Sequence, residues 1–211
     1  MPLKAFSQAK TRLRPSLPPQ DLAAVVKKMA TRVIAAAGPV PVSIVSSALD
    51  VKHWADHSGI DCIDLPHANL NQAVQQAVDH KAALGVDRIV IAHADLPRAQ
   101  SFERYIEVDG TVIVTDQAGR GTKVLSIPTR PGFTFHYGRL SADAHYREAA
   151  DRQTTVTIVQ DKLLSLDINT IADLAILRSE ASDVFEQLLD GCKSSEQINK
   201  AIDQRTREHA T

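Results

Sequence analysis

Two aspartates stand where an α/β chain places metal or phosphate chemistry. Asp95, in His93-Ala94-Asp95-Leu96-Pro97, follows the apolar run Arg88–Ala92, and Asp167, in Leu166-Asp167-Ile168-Asn169-Thr170, precedes a helix. An aspartate in the loop after a buried parallel strand is well placed for a divalent cation, and Mg2+ is usually held by one or two carboxylates together with substrate phosphates. Two such residues on separate loops could share one ion. Each also has a plainer reading, Asp95 as a turn residue beside Pro97 and Asp167 as the cap of the following helix. The next candidates are cationic. Lys4, Lys10, Arg12 and Arg14 all precede the first acidic residue, Asp21. Such side chains on a loop that feeds a helix suit phosphate, although a charge run is also simply a solvated arm. The glycine-bearing loop Asp116–Lys123, which contains Thr122, could wrap an anion in its amides or merely connect two strands. Gly138-Arg139-Leu140-Ser141 opens a helix, with Ser141 the expected N-cap at an anion-favouring helix start.

Other chemistries find little support. The chain has no phosphate-binding Gly-Lys-Ser/Thr loop, no G-x-G-x-x-G, no H-E-x-x-H and no G-x-S-x-G elbow. His53 and His57 are four apart without an evident third ligand and read as a surface helix face. A formal charge of -1 over 211 residues argues against nucleic acid or a membrane surface as partner. Aromatic residues at 4% argue against a base-stacking platform. No apolar run approaches the ~20 residues of a membrane span. Cys62 and Cys192 read as reduced thiols. Without a basic-then-apolar leader the expected location is cytoplasmic.

These candidates need elements to position them. Residues 2–19 read as a proline-rich loop. A helix follows from about Pro19 to Ala37, where Leu22, Val25, Val26, Met29, Val33 and Ile34 recur at three- and four-residue spacing. The pattern predicts strands at Val42–Val45, Cys62–Leu65, Arg88–Ala92, Thr111–Val114, Lys123–Ile127 and Thr155–Val159. It predicts helices at Asp50–Ser58, Asn71–Leu84, Gln100–Ile106 and Ala142–Asp151. Thr170 should cap a long helix Ile171–Leu189 stopped by Gly191. Ser194 with Gln197 resembles a capping box that opens a last helix to about Glu208. Alternating strands and helices imply a three-layer α/β/α domain with a mostly parallel mixed sheet. Ligands in such sheets sit beyond the carboxyl ends of the strands.

Taken in order, the motifs resemble the 2-phospho-L-lactate guanylyltransferase family, which includes phosphoenolpyruvate and phosphoglycerate guanylyltransferases. The run Pro2-Leu3-Lys4 through Ala9-Lys10-Thr11-Arg12-Leu13 is similar to its opening P-V-K-P-x-x-x-A-K-x-R-L. Asn69-Leu70-Asn71 resembles its G-L-N, and Ala94-Asp95-Leu96-Pro97 its A-D-L-P. Gly119-Arg120-Gly121-Thr122 resembles its G-T-G-T loop. Gly138-Arg139-Leu140-Ser141 through His145 resembles G-x-x-S-F-x-x-H, and Leu166-Asp167-Ile168-Asn169-Thr170 resembles L-D-V-D-T. The resemblance implies a nucleotide-diphospho-sugar transferase fold over residues 1–178, with 179–211 as a C-terminal helical extension. It implies the joining of GTP to a small phosphorylated carboxylic acid, with release of pyrophosphate, in the biosynthesis of a deazaflavin coenzyme. Asp95 and Asp167 would then hold Mg2+. Lys4, Lys10 and Arg12 would meet the triphosphate, Asn71 would lie near the guanosine, and Thr122, Gly138 and Ser141 would cradle the acid.

The chain departs from the family pattern in four places. Members carry about five residues ahead of the first motif, so the first strand is expected to be stunted here. Lys123 replaces a small or amide residue, and the stretch around Arg139 and Leu140 is altered. Residues 179–211 extend past the usual end, and their apolar face (Val184, Phe185, Leu188, Leu189) could pack on its own domain or on a second subunit of a homodimer. Related sugar-phosphate or molybdopterin nucleotidyltransferases usually open with a longer L-x-G-G-x-x-x-R loop, which is absent. A non-catalytic nucleotide-binding homologue is the alternative from another class.

Overall fold

The structure is a computed structural model and describes residues 1–208. Helix α1 (Pro19–Ala35) shows how the core is seeded. Pro19 lacks an N–H where the first turn has no use for one. Leu22, Val25, Val26, Met29 and Val33 form one buried stripe along the helix. Next come β1 (Ser43–Val45), α2 (Leu49–His57), β2 (Asp61–Ile63), α3 (Leu70–Ala83) and β3 (Arg88–Ala92). After these come α4 (Glu103–Ile106), β4 (Thr111–Thr115), β5 (Thr122–Pro128), α5 (Ser141–Asp151) and β6 (Val156–Val159). Helices α6 (Ile171–Glu180), α7 (Ser182–Leu189) and α8 (Ser195–Glu208) close the described chain.

The strands form a parallel pair, β1-β2, and a four-stranded sheet in the order β3-β5-β4-β6. The expected three-layer α/β class with a mostly parallel mixed sheet is present, and β5 is the reversed strand of the four. It runs antiparallel to both β3 and β4, while β4 and β6 are parallel. The reason is the short connection at residues 116–121. A few residues can turn a chain back into an antiparallel neighbour, whereas a parallel partner needs a long crossover. Side chains alternate between the two faces of this sheet. Val112, Val114 and Val124 pack on the α1 side with Val33 and Phe102, and Ile113, Leu125 and Ile127 pack on the α3 and α5 side with Val74 and Ala149. Three layers result.

The two sheets are not joined by a hydrogen-bonded strand among the described residues. Pro2 makes a single parallel bridge to Val45, with Leu3 N donating to Val45 O at 3.0 Å and Val45 N to Met1 O at 2.9 Å. The first strand is reduced to that bridge. A cavity of about 290 Å³ lies between β1 and β3, with Val42, Val45, Val74, Val78, Val90 and Ala92 on its walls.

The C-terminal region corrects two expectations. The long helix expected at 171–189 breaks at Ala181, whose backbone (φ -155°, ψ 70°) is not helical. The break turns α7 so that Phe185, Leu188 and Leu189 join the core built on α1. No glycine or proline marks the site, so packing and not local propensity makes the bend. The apolar face of the extension therefore closes on its own domain. Ser194 does not cap α8 with its side chain; its hydroxyl donates to Asp21 at 2.6 Å instead. Thr170 does cap α6, in a reciprocal pair with Asp173. Cys62 and Cys192 are free thiols, and no described helix is long and apolar enough to cross a membrane.

Candidate functional site

The loop after β3 carries Asp95, and the loop before α6 carries Asp167. Backbone bonds align the loops around them. Ile168 N donates to Asp95 O at 3.3 Å, and His93 N donates to Lys123 O at 3.1 Å, extending the β3–β5 ladder by one pair. The two aspartates thus share one end of the fold, beyond the carboxyl end of β3.

Two lysines converge there. Lys10 reaches in from the N-terminal loop, pairing with Asp95 Oδ2 and donating to Asn169 Oδ1 at 2.8 Å. Its backbone is left-handed, φ 51°, a conformation that costs an ordinary side chain free energy and persists where the surroundings hold it. Asn169 Nδ2 donates to Asp167 Oδ2 at 2.6 Å, and Lys123 Nζ pairs with the same oxygen at 2.7 Å. An unbroken chain of polar contacts therefore runs Asp95–Lys10–Asn169–Asp167–Lys123. Its four charged side chains are between 9% and 22% exposed.

Burial pushes the Asp95 carboxyl up, but the Lys10 ammonium, by its charge and its hydrogen bond, offsets this, so it is held below its ordinary value and ionised near neutrality. Burial lowers His93, with Asp95 opposing only in part, so its imidazole is neutral. Three buried polar atoms here, Asp95 Oδ1, His93 Nε2 and Tyr137 Oη, have no hydrogen-bond partner among the described residues. Such groups are uncommon in folded proteins and mark sites that a ligand completes.

A second polar cluster adjoins the first across β5. Thr122 N donates to Ser141 Oγ at 2.9 Å, and Thr122 Oγ1 meets His145 Nδ1 at 3.0 Å. His136 N donates to His145 Nε2 at 3.0 Å, so Nδ1 carries the ring proton toward Thr122. Burial, then His136, lowers His145 to about 4. Thr122 and Ser141 are each 2% exposed, and these bonds hold the wall of the site. Gly138 is exposed with φ +151°, and a side chain there would meet open space. Its main chain is open to a ligand in a way that the Thr122 and Ser141 side chains are not.

The remaining expected residues fall into different places. Asn71, in the first turn of α3, clasps the main chain of Tyr137 from both sides, accepting from its N at 2.6 Å and donating to its O at 3.1 Å. It positions the segment that holds Gly138. Lys4 and Arg12 are exposed on the N-terminal loop, apart from the buried chain that Lys10 enters. Ser141 is the first residue of α5 and not its N-cap; Leu140 takes that position at φ 63°. The helix start is also not free for an anion throughout, since Ala142 N donates to Arg120 O at 3.0 Å. The loop amides at Arg120 and Gly121 are taken by the Asp116 carboxylate, each at 2.9 Å. Asp167 does not cap α6, and Asp95 is not a mere turn residue.

Sequence reasoning gave no role to Asn169, His93, His145 or Tyr137. The first three lie inside motifs that were singled out, so their signal was proximity to Asp167, to Asp95 and to Ser141. Tyr137 carried no signal beyond its place before Gly138.

A Mg2+ ion fits this donor set. Asp95 Oδ1 is a hard oxygen lacking a partner, and Asp167 lies on the adjoining loop. No group of three or more His, Cys, Asp or Glu able to hold a metal exists among the described residues, so substrate phosphates and water would have to complete the shell.

Known proteins share this architecture. A family model described as "Guanylyl transferase CofC like" matches residues 1–187. The 2-phospho-L-lactate guanylyltransferase of Methanothermobacter thermautotrophicus is 31% identical over 198 residues, 89% of this chain and 87% of that protein. The phosphoenolpyruvate guanylyltransferase of Conexibacter woesei is 28% identical over 84% of this chain and 85% of its own length. Among solved structures, one from Desulfovibrio desulfuricans, titled as a nucleotide-diphospho-sugar transferase, superposes with a TM-score of 0.68 at 13% identity, covering 97% of this chain and 95% of that one. A cytidylyltransferase from Leptospira borgpetersenii gives a TM-score of 0.51 at 14% identity over 93% and 94% of the two chains. At such identities these two likenesses speak to the fold.

Proposed function

This chain belongs to the CofC-like guanylyl transferase family and is a nucleotidyltransferase, and from that premise we propose that it joins GTP to a small phosphorylated carboxylic acid and releases pyrophosphate. Its relatives' names divide between 2-phospho-L-lactate and phosphoenolpyruvate. Phosphoglycerate carries the same two groups, one phosphate and one carboxylate. The guanylylated acid would serve the biosynthesis of a deazaflavin coenzyme.

In this reaction a phosphate oxygen of the acid attacks the α-phosphorus of GTP. A new P–O bond forms, the bond from that phosphorus to the bridging oxygen breaks, and pyrophosphate leaves with the electron pair. No covalent step on the protein is needed, so its work is to position two anions and offset their charge. Asp95 and Asp167 would hold Mg2+, which when bound draws charge from phosphate oxygens. Lys10, fixed by Asp95 and Asn169, presents an ammonium to the reacting phosphates. Lys4 and Arg12, on the exposed rim, would receive the outer phosphates of the nucleotide. The Thr122–Ser141–His145 cluster stiffens the wall against which the acid rests, and Gly138 offers it an open main chain.

The observation that carries this reading is the continuous Asp95–Lys10–Asn169–Asp167–Lys123 chain beyond the end of β3. Pyrophosphate release tests it, with GTP or ATP and each of the three acids in the presence of Mg2+. Release with GTP and at least one acid is expected. Nucleotide binding in a thermal-shift assay without release from any pair would point to the non-catalytic homologue. The same assay with sugar phosphates in place of the acids serves as the control, and release only there would move the chain to sugar-nucleotide chemistry.

A further inference from the structure

The charges at the site already balance without a metal. Asp95 and Asp167 contribute two negative charges, and Lys10 and Lys123 contribute two positive ones through direct contacts. We propose that Lys123 occupies the place of the divalent cation at Asp167 in the ligand-free protein, so that metal enters only together with the nucleotide. This rests on the assignment of Asp95 and Asp167 to the metal made above.

Each ion pair is made through a single carboxylate oxygen. Lys10 takes Oδ2 of Asp95 and leaves Oδ1 without a partner. Lys123 instead stands on the same Asp167 oxygen that Asn169 donates to, at 2.7 and 2.6 Å. With two donors already on that oxygen, a cation that binds Asp167 through it would take the place of Lys123. The lysine is well placed for the exchange. It comes from β5, one residue after Thr122, and only 11% of its side chain is exposed, so water screens its attraction to Asp167 weakly.

Adding a bare divalent ion to a site that is already neutral and mostly buried places two uncompensated charges in a poorly solvated space, which is unfavourable. A nucleotide triphosphate changes the sum. Its negative charges offset both the metal and the released ammonium, and Lys123 can turn from Asp167 to a phosphate beside it. Metal and nucleotide should therefore bind with positive coupling, and coupling of this kind is reciprocal.

Calorimetric titration with Mn2+ alone, on wild type and on Lys123→Met and Lys123→Gln, tests the exchange without turnover. The variants should bind Mn2+ at least about tenfold more tightly than wild type, and wild type should gain at least about tenfold when GTP is present. Lys123→Met should melt at a lower temperature than wild type and recover on addition of Mn2+, while Mn2+ alone leaves wild type unmoved. Equal Mn2+ affinity in wild type and both variants, or no gain from GTP in wild type, overturns the proposal. Should both variants fail to fold, the wild-type comparison with and without GTP decides it. Absence of Mn2+ binding in every form, with GTP present, removes the metal from Asp95 and Asp167. Pyrophosphate release remains a separate measurement and can succeed in that case.

Discussion

Asp21 and Asp95 are both carboxylates that the fold covers, and their surroundings differ in kind. Asp21 lies in the first turn of α1, 5% exposed, and its Oδ2 accepts from the backbone N of Ser194 at 2.8 Å and from the Ser194 hydroxyl at 2.6 Å. Those bonds tie the start of the last helix to the first one, across 173 residues. Asp95 has one oxygen on Lys10 and the other, also covered, without a hydrogen-bond partner among the described residues, with only His93 Nδ1 at 4.0 Å. A buried carboxylate whose bonds end inside the protein holds the fold together. One that keeps an oxygen in reserve, beside other orphaned donors and a chain of counter-charges, lowers the stability of the free protein to serve a ligand.

The sharpest separation of the two should come from activity. Asp95→Asn is expected to lower kcat/KM more than about 100-fold, since a catalytic metal typically supplies several kcal/mol. Asp21→Asn should leave kcat/KM near the wild-type value. Steady-state kinetics on both variants would collapse the distinction if the two fell together.

Stability without loss of nucleotide affinity should mark the Asp21 clasp. Asp21→Ala is expected to cost about 2–3 kcal/mol, and Ser194→Ala about 1.5 kcal/mol, as hydrogen bonds to charged groups generally do. Denaturant midpoints at constant slope would measure both, with the nucleotide KM unchanged.

Acid titration distinguishes the clasp from the wall of the site. Burial, reinforced by His136, lowers His145 to about 4 from an ordinary 6.5, so the unfolded chain takes up this proton first and the folded state loses stability as pH falls from 6.5 toward 4. The Asp21 carboxyl is also lowered, chiefly by the Ser194 hydroxyl against the opposing effect of burial. Its contribution is present above the ordinary 3.8 and is lost only as pH falls below that value. Melting curves against pH should therefore bend first below 6.5, where His93 adds to the loss, and His145→Gln should make that limb shallower while leaving the lower one. A limb unaffected by His145→Gln would detach the wall from the titration.

The smallest effect is the most diagnostic of reserve. Tyr137→Phe removes a covered hydroxyl that has no partner among the described residues, so it should raise stability, by about 1 kcal/mol or less. A fall in melting temperature would show that hydroxyl to be structural.

Much of this was legible in the residues because the cues are local. The stripe of α1, the Thr170 cap and the apolar run Arg88–Ala92 each appear within a few positions of one another, and each formed as read. The places of Asp95 and Asp167, just beyond a strand and just before a helix, were legible as well, since each is a local pattern. The break at Ala181 was not, because no residue there disfavours a helix and only the fit of Phe185 onto α1 rewards the bend. Ser194 was misread for the same reason. Its spacing to Gln197 is that of a capping box, but its hydroxyl is directed at a carboxylate on α1, 173 residues away.

The amino-acid sequence alone determined which segments become helices and strands, and which loops carry the acids and the bases, because backbone propensity and side-chain period act over a few residues. Only the tertiary structure decided which of them meet. Lys10 lies 85 residues from Asp95 and 159 from Asn169, and a pairing at that distance has no local signature. It is set by how the sheet twists, how the loops beyond it align, and how burial raises the cost of leaving any one charge without its counterpart.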